Sequence, residues 1–212
     1  MVVLVPGEFA FEFSELDVLA IKFSCYTGVP VITEKREFFG KVYFFDAHIR
    51  QLPNGSYILG ATAFGFNGGD FFLIKTNSTG DTLWTKNYGG SGFERLAYMQ
   101  NTNDGGFIMS GWSNSFDTVF YAYIVKTDGA GDTLWTKIYP QFGELIFSLE
   151  QTADGGYIMV TTIGSQLALA KTDAMGNITW TKLFRDAPQV NAYYWVQQTS
   201  DGGYALVGFH FA

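Results

Sequence analysis

Apolar positions in this chain come in short runs of seven or eight residues that do not alternate cleanly with polar ones. Between Arg95 and Tyr139 there are four such runs, at about Arg95–Thr102, Phe107–Ser113, Phe120–Thr127 and Thr133–Tyr139. Three are rich in aromatic and β-branched residues, which suit a pleated strand. NDGG and DGAGD separate them, and Asn, Asp and Gly tolerate the positive φ angles of tight hairpins. The stretch therefore predicts a four-stranded antiparallel meander. Phe120–Val125 (FYAYIV) and Asp70–Ile74 (DFFLI) are apolar at successive positions, which predicts strands covered on both faces.

The same pattern returns along the chain. NTNDGGFIMSG (Asn101–Gly111) has counterparts in QTADGGYIMVT (Gln151–Thr161) and QTSDGGYALVG (Gln198–Gly208). The turn aspartates Asp104, Asp154 and Asp201, with Asn54 in the same phase, are spaced by 50, 50 and 47 residues. A second motif alternates with the first: KTNSTGDTLWTKNY (Lys75–Tyr88), KTDGAGDTLWTKIY (Lys126–Tyr139) and KTDAMGNITWTKLF (Lys171–Phe184), its tryptophans Trp84, Trp135 and Trp180 spaced by 51 and 45. Repeats of 40–50 residues that each form four strands are expected to stack as the blades of a β-propeller, where each sheet is sandwiched between two others.

The expected organisation is one all-β domain over 1–212, with blades at about 1–43, 44–90, 91–141 and 142–185 and a half-blade at 190–212. Ser14–Phe23 has the look of a helix, but the repeat phase aligns Asp17–Lys22 with Asp70–Lys75 and predicts a strand. Pro30 then falls in a last strand, where a missing donor suits an edge. Four and a half repeats predict a four-bladed ring closed by pairing N- and C-terminal strands, with five blades as the alternative. A piece of a larger ring, or two chains completing each other through the half-blade as a homo-oligomer, are the other arrangements.

Composition narrows the partners. The chain is 47% hydrophobic, rich in Gly (25) and sparse in charge (16%), as turn-rich β proteins are, with a formal net charge of −7. That balance argues against a nucleic-acid backbone, which wants clustered Lys and Arg, and against anionic membrane surfaces. Met1–Val5 is far short of the ~18 apolar residues of a membrane helix, so no membrane insertion is expected. It also lacks the features of a signal peptide. The single Cys25 forms no internal disulfide and has no nearby His to make it a catalytic thiol.

Candidate chemistry is thin. The recurring Asp104, Asp154 and Asp201, with Asn54, read as turn residues that accept backbone N–H groups while their glycines supply the dihedrals, because a scaffold residue recurs and a catalytic one is needed once. One or two carboxylates per turn fall short of a Ca²⁺ site. Trp84, Trp135 and Trp180 read as inter-blade packing with a bonded indole N–H. The in-phase Lys22, Lys75, Lys126 and Lys171 read as exposed guards on outer strands. Trp112 and Trp195 break the phase and, with Tyr193 and Tyr194, are the expected binding platform. His48 and His210 have no metal-ligand spacing, so no metal is expected, and no cofactor or phosphate-loop motif is present. Off-phase acids at Glu94, Asp117, Glu144 and Asp186 are the ones a glycoside hydrolase or lyase would use.

The pair DGGYI and KTDxxGDTLWTKxYGG resembles a tandem-repeat β-propeller family of secreted and cell-surface proteins of bacteria, notably the Bacteroidetes and related phyla, and of archaea. The resemblance runs from about Gln51 to Gly208. Tyr88-Gly89-Gly90 carries the full ending, while Tyr139-Pro140 and Phe184-Arg185 depart from it. It implies an extracytoplasmic, non-enzymatic module that binds a protein or glycan at one end of the ring. The turns are also similar to the Asp-box of sialidase-like propellers, but Arg36, Arg50, Arg95 and Arg185 are few for the arginine triad of that activity. The alternatives are a polysaccharide-active enzyme and an architectural protein that assembles through unpaired blade edges.

Overall fold

A computed structural model describes the backbone of residues 11–14, 17–26, 29–38, 43–64, 69–117, 119–143, 145–184 and 194–208, and side chains from His48 onward within these, Phe64 excepted. Every regular element among the described residues is a strand, and every pairing is antiparallel. The chain falls into two compact units, Met1–Asn87 and Tyr88–Ala212.

The first unit opens with β1 (Phe11–Ser14), β2 (Asp17–Tyr26) and β3 (Val29–Phe38) in a three-stranded sheet of that order. The helix-like stretch Ser14–Phe23 is thus mostly strand. Pro30 pairs with Cys25 in β3, an outer strand, as its missing N–H requires. A complete meander follows, of β4 (Tyr43–Gln51), β5 (Tyr57–Phe64), β6 (Asp70–Thr76) and β7 (Thr82–Tyr88).

The second unit holds two complete meanders and the start of a third. They are β8 (Glu94–Asn101), β9 (Phe107–Ser113), β10 (Tyr121–Thr127) and β11 (Thr133–Tyr139); β12 (Ser148–Gln151), β13 (Tyr157–Ile163), β14 (Gln166–Thr172) and β15 (Ile178–Phe184); and β16 (Tyr194–Gln198) with β17 (Tyr204–Gly208). The repeat is visible in the backbone as well. The register shifts between Lys126 and Thr127, between Lys171 and Thr172, and between Lys22 and Phe23. One bulge at one phase in three repeats supports the alignment of Lys22 with the later lysines.

The sheets of the second unit stack face to face. On β13, Tyr157 and Met159 pack with Tyr98, Ile108 and Ile124 of the β8–β11 sheet. Ile158 and Val160, on the opposite face, pack with Tyr194 and Val196 of β16. Strands alternate faces with period two, so a strand covered on both sides must be apolar throughout. Each fully buried Ile, Val or Met contributes roughly 1.5–3 kcal/mol. A hydrogen bond joins the layers as well: the Tyr139 hydroxyl donates to the Gly176 carbonyl at 2.7 Å. Asn103 N–H and Ala153 N–H donate to the side-chain oxygens of Gln151 and Gln198.

β16 and β17 form a sheet of two, and β2 is taken on its two edges by β1 and β3. The expected pairing of N- and C-terminal strands is not among the strand pairs of the described residues.

Candidate functional site

The β-turns after each first strand carry the repeat's densest polar chemistry. In each, the first glycine holds a φ near +80°: Gly55, Gly105, Gly155 and Gly202. Asp104 Oδ1 accepts the Gly106 N–H at 3.0 Å and the Thr102 hydroxyl at 2.5 Å, and Asp154 does the same with Gly156 and Thr152. These short side chains satisfy turn donors that no strand partner reaches.

Behind each aspartate stands a lysine. Lys126 Nζ donates to Asp104 Oδ2 and to the Thr127 carbonyl, both at 2.7 Å. Lys171 Nζ lies 3.0 and 2.9 Å from the two oxygens of Asp154 and 2.7 Å from the Thr172 carbonyl. Lys126 is 3% exposed and Lys171 5%. The expectation of exposed edge guards is therefore corrected: these lysines sit on the third strand, which has a neighbour on each side, and cap the turns. In the first unit Asn54 replaces the aspartate and bonds Ser56. Lys75 there lies 5.8 Å from the Trp84 ring.

The carboxylates respond to this setting. Burial pushes Asp104 up, but bonds from Lys126, Thr102 and Gly106 outweigh it and bring its pKa down from 3.8 to about 2. The Thr152 hydroxyl first, then Lys171 and Gly156, bring Asp154 to about 2. Both folded values lie below the unfolded ones, so their stabilisation is present above about pH 4 and is lost as pH falls toward about 2. Unfolding midpoints in urea are expected to hold down to about pH 4 and to drop between about pH 4 and 2. In Asp104→Asn/Asp154→Asn protein that acid limb is expected to flatten.

Two of the motif tryptophans, Trp135 and Trp180, lie at sheet junctions of the second unit. Trp135 is half-buried, edge-on to Tyr157 of the next sheet at 5.9 Å. Trp180 stands against Tyr204 at 5.8 Å but is 39% exposed. No bond from the indole N–H of Trp135 or Trp180 is among the hydrogen bonds of the described residues.

The off-phase aromatics separate. Trp112 on β9 is half-buried beneath Arg95, whose guanidinium carbon is 4.9 Å from its ring centroid. Trp195 on β16 is 52% exposed and meets Tyr98 edge-on at 5.8 Å. Tyr194 is buried against Phe147, on the face opposite Trp195, as strand alternation demands. Tyr193 lies outside the described residues. No ring contact joins Trp112 to Trp195 among the described residues.

Among the acids, Glu94 is fully buried and accepts hydroxyls from Ser113 and Ser115 and the Gly90 N–H at 2.9 Å. It closes the loops before β8 and after β9. Asp117 is exposed and accepts from the Tyr121 hydroxyl at 3.2 Å. Glu144, Asp186 and His210 lie outside the described residues. No three His, Cys, Asp or Glu side chains gather as a metal-ligand set among the described residues.

A cleft of about 830 Å³ opens between the β8–β11 and β12–β15 sheets, lined by Asn103, Leu134, Trp135, Gln151, Asp154 and Met175 among others. The sequence motifs mark its walls, but not that the sheets part there. Stacked four-stranded meanders with a lysine-capped turn in two of the repeats define an all-β tandem-repeat scaffold. No protein-family model matches the chain, and no curated protein matches it.

Proposed function

We propose that the stacked sheets are blades of a β-propeller that binds a protein or glycan without chemistry of its own, outside the cytoplasm. The ~50-residue period supports blades, and a count of about four and a half repeats favours a ring of four over one of five. Export rests on the motif resemblance. The observation that carries the binding reading is Trp195, a large indole exposed on a first strand and braced edge-on by Tyr98. An exposed aromatic held rigid offers contact area at little entropic cost, to the apolar face of a sugar or to a protein side chain. Its position on the sheet surface gives little to the core.

The test is a glycan array and a surface-protein binding screen with wild-type and Trp195→Ala protein. Trp195→Ala is expected to weaken the ligand found by more than about tenfold while leaving thermal unfolding unchanged. Undiminished binding to every ligand found would overturn the reading.

A further inference from the structure

The cleft between the β8–β11 and β12–β15 sheets is lined by hydrogen-bonding groups that the fold does not use. Tyr157 lines it and is 2% exposed. No bond of its hydroxyl is among the hydrogen bonds of the described residues. The side-chain polar atoms that are both shut off and unpartnered there are Asn101 Oδ1 and Ser110 Oγ. The Tyr157 oxygen is not one of them, so it reaches open space, and the cleft is the space it lines. Packing does not require a hydroxyl at this place: the counterpart of Tyr157 in the neighbouring sheet is Phe107, which is fully buried. Two more such groups stand on the walls. Asn103 is exposed, and among those bonds it gives only its main-chain N–H, to Gln151. The indole N–H of Trp135 is the other.

The walls carry charge, but it is balanced: Lys126 pairs with Asp104, and Lys171 with Asp154. Asp104 Oδ2 accepts from Lys126 Nζ at 2.7 Å and has a second lone pair to offer. Apolar surface completes the rim, where Leu134 is 55% and Met175 57% exposed. Leu134 is the residue that the register shift leaves without a partner on β10, since Trp135 pairs with Lys126 and Thr133 with Thr127.

We propose that this cleft binds a neutral oligosaccharide. Its volume, about 830 Å³, lies within the roughly 300–1,000 Å³ of small-molecule sites. Sugar hydroxyls both donate and accept, so they suit carboxylates on one side and an indole, an amide and a phenol on the other. The C–H face of a pyranose suits the aromatic and aliphatic side chains between them. An ionic ligand would find the carboxylates already neutralised. A wholly apolar one would take water from Tyr157, Trp135 and Asn103 and return no bond. The lining does not include Trp195, and the inference does not rest on that residue.

The experiment titrates the full chain, with isotope-labelled indole nitrogens, with homotetrasaccharides of glucose in either linkage, mannose, xylose and N-acetylglucosamine. Saturable movement of the Trp135 indole resonance, assigned with Trp135→Phe, is expected with at least one of them. Tyr157→Phe and Asn103→Ala are each expected to weaken that sugar about threefold to tenfold, as loss of one neutral hydrogen bond would. Tyr157→Phe is expected to keep the thermal stability of wild type, because Phe107 fills the same place in its own sheet. Trp195→Ala is expected to leave the affinity unchanged, so this site stands or fails apart from the Trp195 surface. No saturable movement of the Trp135 resonance with any of the sugars would overturn the proposal. So would an affinity that Tyr157→Phe and Asn103→Ala both leave unchanged, or saturation of the cleft by a basic or apolar peptide while the sugars are inert.

Discussion

Asp104→Ala is expected to destabilise the fold by about 3–5 kcal/mol, and Lys126→Met by only about 1–2 kcal/mol. The order is the reverse of what exposure suggests. The Asp104 side chain is half exposed and that of Lys126 is 3% exposed. Removing the aspartate leaves a buried ammonium with the Thr127 carbonyl as its remaining partner. Removing the lysine lets the carboxylate turn to water, while methionine keeps most of the stem's volume. The loss is then one bond to a carbonyl and some desolvation. Asp154→Ala is expected to behave like Asp104→Ala, because Lys171 is held the same way. Asp201→Ala is the internal control: the same turn, the same Thr and Gly partners, and no lysine behind it among the described residues. Its expected cost is that of an exposed turn bond alone, clearly below that of Asp104→Ala. Urea unfolding of the three variants measures this, with the m-value checked for constancy. Equal costs for Asp104→Ala and Asp201→Ala would show that the carboxylate does not hold the buried lysine.

Those lysines mark the limit of what the sequence made legible. The strands themselves were easy to read. Phe107–Ser113 and Thr133–Tyr139 were predicted to the residue, and Arg95–Thr102 to within one. Turn signals fix both ends of each run, and two-sided burial removes polar residues from the middle. A lysine in such a strand looks like an edge device because its charge has no partner nearby in sequence. Asp104 is 22 residues from Lys126, and only the β9–β10 register brings the lysine beside the turn. Comparison of the repeats carries no signal of the pairing, because the lysine recurs as Lys75, Lys126 and Lys171 whether the turn residue is Asn54, Asp104 or Asp154. Adjacent aromatics misled for a simpler reason. Tyr194 and Trp195 are neighbours in sequence and so face opposite ways on a strand; one is core and the other surface. Glu94, a candidate acid by its phase, is spent on closing two loops, a role that depends on serines 19 and 21 residues away.

Gly156→Ala is expected to cost about 3 kcal/mol or more, Gly155→Ala about 1–2 kcal/mol, and Gly203→Ala under about 1 kcal/mol. Propensity would rank them otherwise, since Gly155 alone of the three has a positive φ, +82°. Space decides instead. A Cβ at Gly155 meets nothing within 4 Å, so its cost is the left-handed backbone alone. At Gly156 the added carbon would sit 2.1 Å from the Thr172 carbonyl and 2.6 Å from Lys171 Nζ. The carbonyl belongs to a strand held on both edges, and the ammonium to the Asp154 pair, so neither can yield without breaking the sheet. Gly106→Ala faces the same carbonyl and ammonium in its own repeat, Thr127 O at 2.1 Å and Lys126 Nζ at 2.8 Å. At Gly203 the nearest atoms are the Thr199 hydroxyl and the Asp201 carboxylate, at 3.0 and 3.2 Å, and both are side-chain ends that can turn aside. Thermal unfolding of the four alanine variants gives the order directly. A larger loss at Gly155 than at Gly156 would mean that backbone conformation rather than strand approach dictates the doublet. The doublet therefore joins two demands, a turn that must reverse and a third strand that must come close. Only the second demand lapses at β17, where the doublet is kept but the strand it accommodates is not among the described pairs.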